Sequence, residues 1–253
     1  MSSVIGAQLY TLRDYLKTPA DIAKSMKKVR EIGYEAVQLS GLGPIDPAEL
    51  KKILDGEGLT ACATHVGFFK LQNELEQVIA EHKTLACDFV AVSSMPGEYH
   101  NREGYSKFAK EATEIGRKLQ KEGIALGYHN HSFEFQKYGD RLGIEILYEE
   151  SDPKVLSAEL DTYWIQHGGS DPIAWIKKLA GRMSVIHLKD MTIIDGQQAM
   201  AEVGEGNLNW PGLLKACKES GVKWYVVEQD TCQRDPFESL AISFRNLKAM
   251  GLN

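Results

Sequence analysis

Cysteine and positive charge are both scarce in this sequence, and each shortage excludes a class of protein. The 253 residues include four cysteines, which are widely separated and form no Cys-x-x-Cys pair. This spacing argues against a zinc ribbon or a dithiol site and predicts reduced thiols in a cytoplasmic protein. The 29 Lys and Arg residues stand against 35 Asp and Glu residues, which gives a net charge of −6. Without a basic surface, the sequence predicts neither a nucleic-acid partner nor a membrane partner.

Long apolar runs and phosphate-binding loops are absent as well. No stretch approaches the ~20 apolar residues of a membrane span. The opening Met1-Ser2-Ser3-Val4 has neither the basic region nor the apolar core of a signal peptide. No Gly-x-Gly-x-x-Gly loop follows the first predicted strand, which disfavours an open dinucleotide-binding sheet. With 43% hydrophobic and 25% charged residues, the chain has an ordinary globular composition.

Strand-like and helix-like segments alternate along the whole chain. Helical spacing of apolar residues and capping residues followed by proline mark the helices. Eight strand–helix pairs in about 250 residues are typical of a closed (β/α)8 barrel. We therefore predict an α/β fold with one TIM-barrel domain over residues 1–253. The predicted strands are Val4–Tyr10, Ala36–Ser40, Thr60–Val66, Phe89–Met95, Ile124–His131, Val155–Trp164, Ser184–Asp190 and Trp224–Asp230. The predicted helices are Pro19–Ile32, Asp46–Leu54, Leu71–Leu85, Tyr105–Leu119, Leu142–Glu149, one that begins at Asp171-Pro172, Pro211–Ser220 and Asp235–Met250.

The active site of such a barrel lies at the carboxyl ends of its strands, and polar residues interrupt several predicted strand ends. Asp161, His187 and Glu228 belong to the last three strands, so their side chains could converge on one ion. The fourth ligand is either Glu134, beyond the fifth strand, or its rival His129. Carboxylate oxygens and an imidazole suit Mn²⁺ or Mg²⁺ best, with Zn²⁺ or Co²⁺ as alternatives. We predict one divalent ion per chain, with Mn²⁺ as the first choice.

A metal beside several titratable groups predicts proton transfer next to a carbonyl. A metal bound to a hydroxyl and the adjacent carbonyl oxygen stabilises the enediolate that forms when the intervening proton leaves. Glu228, His131 and Glu134 are the candidate bases, and His131 or His65 could serve as an acid. The other polar and aromatic residues of the mouth are expected to bind the substrate: Gln8, His65, His129, Trp164 and Lys189.

Six ordered motifs resemble the xylose-isomerase-like TIM-barrel superfamily, in its sugar phosphate isomerase/epimerase branch. They cover essentially the whole chain: Gly6-Ala7-Gln8-Leu9-Tyr10-Thr11-Leu12-Arg13-Asp14, Tyr128-His129-Asn130-His131-Ser132-Phe133-Glu134-Phe135, Asp161-Thr162-Tyr163-Trp164, His187-Leu188-Lys189-Asp190, Val203-Gly204-Glu205-Gly206-Asn207-Leu208-Asn209-Trp210 and Val227-Glu228-Gln229-Asp230. The resemblance implies a metal held by a Glu, Asp, His, Glu set, which carries over to Glu134, Asp161, His187 and Glu228. Several members have a Glu within the fifth strand, where this sequence has histidines. The choice between Glu134 and His129 therefore stays open.

The branch includes ketose epimerases, hydroxypyruvate isomerase and inosose dehydratases, and the resemblance implies a sugar or keto-sugar isomerase or epimerase. A lyase or dehydratase acting on a keto-inositol or a 3-keto-glycoside is the alternative, because His129 and His131 make protonation of a leaving group plausible. A carbohydrate-binding barrel without activity and an enzyme like endonuclease IV are further alternatives. The latter would need more metal ligands and a basic groove. Few cations fall in the predicted upper loops, which favours an uncharged keto-sugar over a sugar phosphate. The sequence leaves open whether the chain forms a homo-oligomer.

The connection from Met191 to Asn209 is long for a loop between a strand and a helix. Within it, Asp195-Gly196 is the dipeptide typical of a tight hairpin turn. We predict a small hairpin here, and we expect the loop to cover the active site because long loops at this end of a barrel often act as lids.

Overall fold

The fold is taken from a computed structural model, which describes residues 4–252. The prediction made for the opening residues Met1 to Ser3 lies outside this range. No helix within residues 4–252 has the length and apolar character needed to cross a membrane.

Eight parallel strands form a closed barrel, which confirms the predicted fold class. In chain order the strands are β1 (Val4–Gln8), β2 (Ala36–Leu39), β3 (Thr60–Val66), β4 (Phe89–Val92), β5 (Ala125–His129), β6 (Lys137–Tyr138), β7 (Arg141–Leu142), β8 (Leu156–Asp161), β9 (Val185–Leu188), β10 (Asp190–Ile194), β11 (Gln197–Ala201) and β12 (Trp224–Val227). The barrel runs β1, β2, β3, β4, β5, β8, β9, β12, and β12 pairs with β1 to close it. The pairs β6–β7 and β10–β11 are two-stranded antiparallel hairpins outside the barrel.

Helices follow the barrel strands and cover the outside of the sheet. They are α1 (Pro19–Ile32), α2 (Pro47–Glu57), α3 (Phe68–Asn73), α4 (Leu75–Leu85), α5 (Arg102–Lys121), α6 (Gly143–Glu150), α7 (Thr162–His167), α8 (Pro172–Lys178), α9 (Trp210–Glu219) and α10 (Pro236–Ala249). Several begin as the sequence predicts, with a capping side chain followed by proline. Asp46 and Asp235, for example, each accept hydrogen bonds from two backbone amides of the first turn.

The main differences from the predicted boundaries lie at the carboxyl ends of the strands. The predicted first strand stops at Gln8, and Leu9–Tyr15 forms a 3₁₀ helix. The predicted sixth strand stops at Asp161, whose carboxylate accepts a hydrogen bond from the Trp164 amide and so caps α7. These polar side chains bond to the backbone just beyond them, which turns the chain out of the sheet. The predicted helix Leu71–Leu85 is also divided, because the chain breaks at Glu74 between α3 and α4.

The predicted hairpin in the long connection is present. Strands β10 and β11 pair around Asp195 and Gly196, whose φ angles are 50° and 77°. Positive φ at both central residues is the requirement of a type I′ turn, which explains the Asp-Gly dipeptide. At the base of the hairpin, Met191 and Met200 pack with Tyr163 just beyond β8. The hairpin is therefore anchored at the mouth of the barrel.

The interior of the barrel changes from apolar to polar along the strands. Ala36, Val185 and Val226 belong to a small cluster of buried apolar side chains from the amino-terminal half of the barrel. Because side chains alternate across a strand, the next inward positions are Gln38, His187 and Glu228. The same face of three strands thus goes from a packed apolar layer to a layer of polar groups, which places the candidate site at the carboxyl end.

Candidate active site

Four buried side chains at the carboxyl end of the barrel offer ligand atoms close together. His129, Asp161, His187 and Glu228 come from β5, β8, β9 and the end of β12, and one ligand atom from each lies within 4.8 Å of the others. His129 Nε2 is 3.4 Å from Asp161 Oδ2, and His187 Nδ1 is 2.9 Å from Glu228 Oε2. The sequence predicted the convergence of Asp161, His187 and Glu228, and the geometry brings these three together.

Lys189 lies inside the same cluster and is completely buried. Its ammonium Nζ is 3.0 Å from Asp161 Oδ2, 2.9 Å from Glu228 Oε2 and 2.6 Å from Asp230 Oδ2. Burial alone would lower the pKa of Lys189, but the three carboxylates outweigh it and raise that pKa above its usual value. Lys189 is therefore a cation that three carboxylates hold in place, and this bears on its predicted role as a substrate contact.

The carboxylates of Asp161 and Glu228 stay ionised although they are buried. Burial would raise the pKa of each group, and the nearby Lys189 ammonium holds both pKa values well below their usual range. His187 contributes to the shift at Glu228. An ionised carboxylate with remaining lone pairs is the form that binds a metal.

A second group of buried side chains lies directly against the first. His65 Nε2 is 2.6 Å from Glu159 Oε1, and His187 Nε2 is 3.1 Å from the same oxygen. The side chain of Gln38 bridges Glu159 and His187. Glu159 and Gln38 were missed by the sequence prediction. A signal for both exists, because each is a polar residue inside an apolar strand and Glu159 precedes Asp161 by two positions on the same strand face.

Glu134 lies apart from the four-residue cluster. Its completely buried carboxylate accepts hydrogen bonds from the Tyr128 hydroxyl at 2.7 Å and from the His131 backbone amide at 2.9 Å. Burial raises the pKa of Glu134 to about 7. The reason for this placement is the 3₁₀ turn Phe133–Phe135, which directs Glu134 back toward β5 rather than over the barrel axis. His129 thus occupies the fifth-strand place in the cluster, where the sequence prediction had put Glu134 first.

His131 follows β5 instead of ending it, and it lines a cavity at the barrel mouth. The cavity has a volume of about 260 Å³ and is also lined by His65, His129 and Glu228. The Nδ1 atom of His131 is buried and has no hydrogen-bond partner among residues 4–252. Burial lowers the pKa of His131 to about 3, and the neighbouring His129 and Lys189 add to this effect. The imidazole is therefore neutral, with one ring nitrogen as a donor and the other as an acceptor.

The other predicted substrate contacts lie around this cavity. The ring of Trp164 is 5.4 Å from that of His131, and its indole Nε1 is buried without a partner among the described residues. Gln8 is buried, with its Nε2 3.5 Å from His65 Nδ1. Tyr10 also lines the cavity. The predicted substrate-binding residues are thus brought to one end of the barrel.

The donor set fits a divalent metal by its chemistry and by its charge. Two imidazole nitrogens and two carboxylate oxygens are ligands that Mn²⁺, Zn²⁺ and Co²⁺ accept. Lys189 supplies one positive charge against the carboxylates of Asp161, Glu228, Asp230 and Glu159. With neutral histidines, three negative charges remain uncompensated, and a divalent ion would compensate two of them. In the metal-free protein these carboxylates instead raise the pKa of His187 well above its usual value, against the effect of burial.

Comparison with known proteins assigns the chain to a family. The family model described as xylose isomerase-like TIM barrel matches residues 26–249. The chain belongs to this family. It is 24% identical to an inosose dehydratase from Clostridium beijerinckii over 245 residues, which cover 81% of this chain and 82% of that protein.

Two solved structures illustrate the likeness of the fold. A sugar phosphate isomerase/epimerase from Parabacteroides distasonis superposes with a TM-score of 0.82 at 24% identity, covering 96% of this chain and 97% of the other. An L-ribulose 3-epimerase superposes with a TM-score of 0.74 at 15% identity, covering 98% and 94%. At these identities the superpositions establish the barrel fold alone.

Proposed function

We propose that this protein is a divalent-metal-dependent isomerase that moves a proton next to the carbonyl of a small keto-sugar. The observation that carries the proposal is that a metal-type donor cluster shares one cavity with a histidine whose Nδ1 atom has no hydrogen-bond partner among residues 4–252. His129 and Glu228 belong to the cluster and also line the cavity with His131. A substrate in the cavity would therefore contact the metal ligands and the histidine together.

The roles of the residues follow from their partners. His129, Asp161, His187 and Glu228 would hold the cation. When bound, it would polarise the substrate carbonyl and stabilise negative charge that develops there. Lys189 faces three carboxylates, which match its three N–H donors, so in this proposal it compensates charge in the cluster and does not contact the substrate as predicted.

His131 is the base in this proposal. No described residue holds its Nδ1 atom, so either ring nitrogen can carry the proton as transfer proceeds. Glu134 supports the loop by accepting the His131 amide, and it does not face the cavity. We accordingly propose Glu134 as a positioning residue, in place of the predicted base.

The arrangement of acid and base groups favours a one-base reaction. Epimerisation through two bases needs free groups on opposite faces of the substrate. Among the described cavity residues, His65 is paired with Glu159 and Asp230 is paired with Lys189, which leaves His131 unpaired at its Nδ1. A single base that takes a proton from one carbon and returns it to the next carries out an isomerisation.

Dehydration is the second candidate, and the match to an inosose dehydratase over 81% of the chain favours it. The same histidine could remove the proton beside the carbonyl and then deliver it to a departing hydroxyl group. The two candidates share the metal, the base and the first proton transfer. They differ in whether the product has lost water.

Incubation with candidate substrates in D₂O tests the proposal. Keto-inositols, ketohexoses and 3-keto-glucosides are incubated with the protein and Mn²⁺, and mass spectrometry follows deuterium incorporation and loss of water. We expect exchange at the carbon beside the carbonyl, reduced by roughly 10²- to 10⁴-fold in His131→Ala. A product at substrate mass supports the isomerase, and a dehydrated product supports the lyase.

The matched control is His167→Ala, since His167 is an exposed histidine on α7. This variant should exchange at the wild-type rate. Glu228→Gln should lose both Mn²⁺ binding and exchange. If His131→Ala and Glu228→Gln exchange as fast as the wild type, the proposed roles are wrong.

A further inference from the structure

A buried hydrogen-bond network connects Glu159 to both His65 and His187. Both oxygens of Glu159 are 3.0 Å from Gln38 Nε2, and Gln38 Oε1 is 2.6 Å from His187 Nε2. The third contact is His65 Nε2, which is 2.6 Å from Glu159 Oε1. Glu159, Gln38 and His187 are completely buried, and His65 is the member of the network that reaches the cavity.

The direction of each hydrogen bond follows from the carboxylate. An ionised carboxylate only accepts, so Gln38 must present its NH₂ group to Glu159. The opposite amide orientation would place an amide oxygen against the carboxylate, which is repulsive. With its nitrogen held by Glu159, Gln38 presents its oxygen to His187. Glu159 therefore fixes the orientation of the Gln38 amide.

The tautomers of both histidines follow in turn. An amide oxygen accepts, so His187 must carry a proton on Nε2. His65 must also carry a proton on Nε2, because that atom faces the Glu159 carboxylate. In a neutral ring the lone pair is then on Nδ1. For His187 this atom faces Glu228 Oε2 at 2.9 Å and Asp161 Oδ2 at 3.8 Å.

A neutral His187 would then point a lone pair at the same two carboxylate oxygens that Lys189 contacts, and a divalent ion bound there would accept this lone pair. For His65, Nδ1 faces the Gln8 Nε2 donor at 3.5 Å, and the residue lines the cavity. This contact is long for a hydrogen bond, so a substrate hydroxyl in the cavity could replace Gln8 as the donor to His65 Nδ1. The Glu159 carboxylate thus determines that Nδ1 is the unprotonated nitrogen in the neutral rings of both His65 and His187.

We propose that Glu159, acting partly through Gln38, is a positioning residue that makes His187 bind the metal through Nδ1 and His65 present Nδ1 to the substrate. This inference has two halves. The metal half, which concerns His187, rests on the proposed function. The His65 half, which concerns the nitrogen that faces the substrate, does not. Groups that orient a histidine ligand commonly change metal affinity by 10- to 100-fold when they are removed.

Two variants and one control test the metal half. Gln38→Met removes the nearer of the two acceptors that face His187 Nε2, the other being Glu159 Oε1 at 3.1 Å. Glu159→Gln removes the charge that orients Gln38. Thr113→Val is the control, since it deletes two hydrogen bonds in the helix layer outside the barrel, one donated to Ala109 O and one accepted from the Asp152 amide. Calorimetric titration with Mn²⁺ should give a 10- to 100-fold weaker affinity for the first two variants. The control should bind Mn²⁺ as tightly as the wild type does, even if its unfolding temperature falls as far as those of the other two variants.

Nitrogen NMR of histidine-labelled protein reads the tautomers directly. In the Zn²⁺-loaded wild type we expect His187 to be coordinated through Nδ1 with a proton on Nε2. In the metal-free protein we expect neutral His65 to be protonated at Nε2, and Glu159→Gln should shift its population toward the Nδ1–H form. Coordination of His187 through Nε2, or an unchanged affinity in both variants, would overturn the proposal.

The outcomes separate this inference from the proposed function. If the wild type binds no Mn²⁺ or Zn²⁺, the metal half of the inference and the proposed function both fail, and the His65 tautomer still decides the other half. If titration instead finds two ions per chain, Glu159 is itself a ligand, in a site with His65 and His187, and the positioning role is wrong.

Discussion

The buried carboxyl group of Glu134 makes the stability of this protein depend on pH in an unusual direction. Glu134 is completely buried beside Tyr128, and burial raises its pKa to about 7 despite the hydrogen bonds donated by Tyr128 and the His131 amide. An unfolded chain releases this proton near pH 4.3. Between these values the folded protein holds a proton that the unfolded chain has lost. The free energy of unfolding must therefore fall as pH rises through this window.

The size of this change in stability follows from the difference between the folded and unfolded pKa values of Glu134. A pKa of about 7 compared with an ordinary value of 4.5 corresponds to roughly 3 kcal/mol. This contribution is fully present below about pH 4.3 and is lost once pH exceeds the folded value of about 7. In Glu134→Gln the group cannot ionise. We expect the stability of this variant relative to the wild type to rise by about 3 kcal/mol between pH 4.5 and pH 8.

Thermal unfolding of both proteins across this pH range measures the difference. For a chain of this size, about 3 kcal/mol corresponds to roughly 6–12 °C in unfolding temperature. The control is Glu145→Gln. The pKa of Glu145 is lowered by its bonds to Lys178 and the Leu142 amide, so removal of its charge should cost stability as pH rises. Parallel pH profiles for Glu134→Gln and the wild type would show that the pKa of Glu134 is the same in the folded and unfolded protein and that the reasoning from burial is wrong.

Two further predictions concern the long connection after β9. Asp190 is buried and accepts hydrogen bonds from the backbone amides of Met191, Gly204, Gly206 and Leu208 and from the Trp210 indole. Asp190→Asn replaces one acceptor oxygen with an NH₂ donor. It should lower the free energy of unfolding, measured by chemical denaturation, by about 3 kcal/mol, since bonds to charged acceptors contribute roughly 1.5–3 kcal/mol each. Removal of Ile193, Ile194, Gln197 and Gln198 shortens the hairpin by two residue pairs and keeps its Asp-Gly turn. The shortened protein should unfold at the wild-type temperature and show a KM raised several-fold, and an unchanged KM would argue against a lid.

The barrel could be predicted because its signals are local and repeated. Each strand is a short apolar run, each helix has apolar residues at helical spacing, and caps such as Asp46-Pro47 mark where helices begin. The carboxyl ends of strands were less predictable. After Gln8 and Asp161 the chain leaves the sheet because side chains bond to the backbone beyond them. Apolar pattern alone does not encode those bonds.

The candidate site was predictable where strand order determines proximity. Asp161, His187 and Glu228 belong to neighbouring strands, so a closed barrel brings them together. The choice between His129 and Glu134 depended on the path of a few residues after β5. The 3₁₀ turn there buries Glu134 under Tyr128. Such a path is determined by tertiary packing, and the pattern of apolar residues in the strands does not predict it.

The interior partners of the site explain why its charges are stable in the barrel. A buried carboxylate without a partner is costly, and three carboxylates bond to Lys189 while Glu159 bonds to Gln38 and His65. Gln38 lies one inward position above Ala36 of the small apolar layer, and Glu159 pairs across the sheet with Val185 of the same layer. The polar network is therefore supported from below by rigid packing and is open above toward the cavity. A site built in this way keeps its ring nitrogens oriented before a substrate arrives, which is the property that proton transfer next to a carbonyl requires.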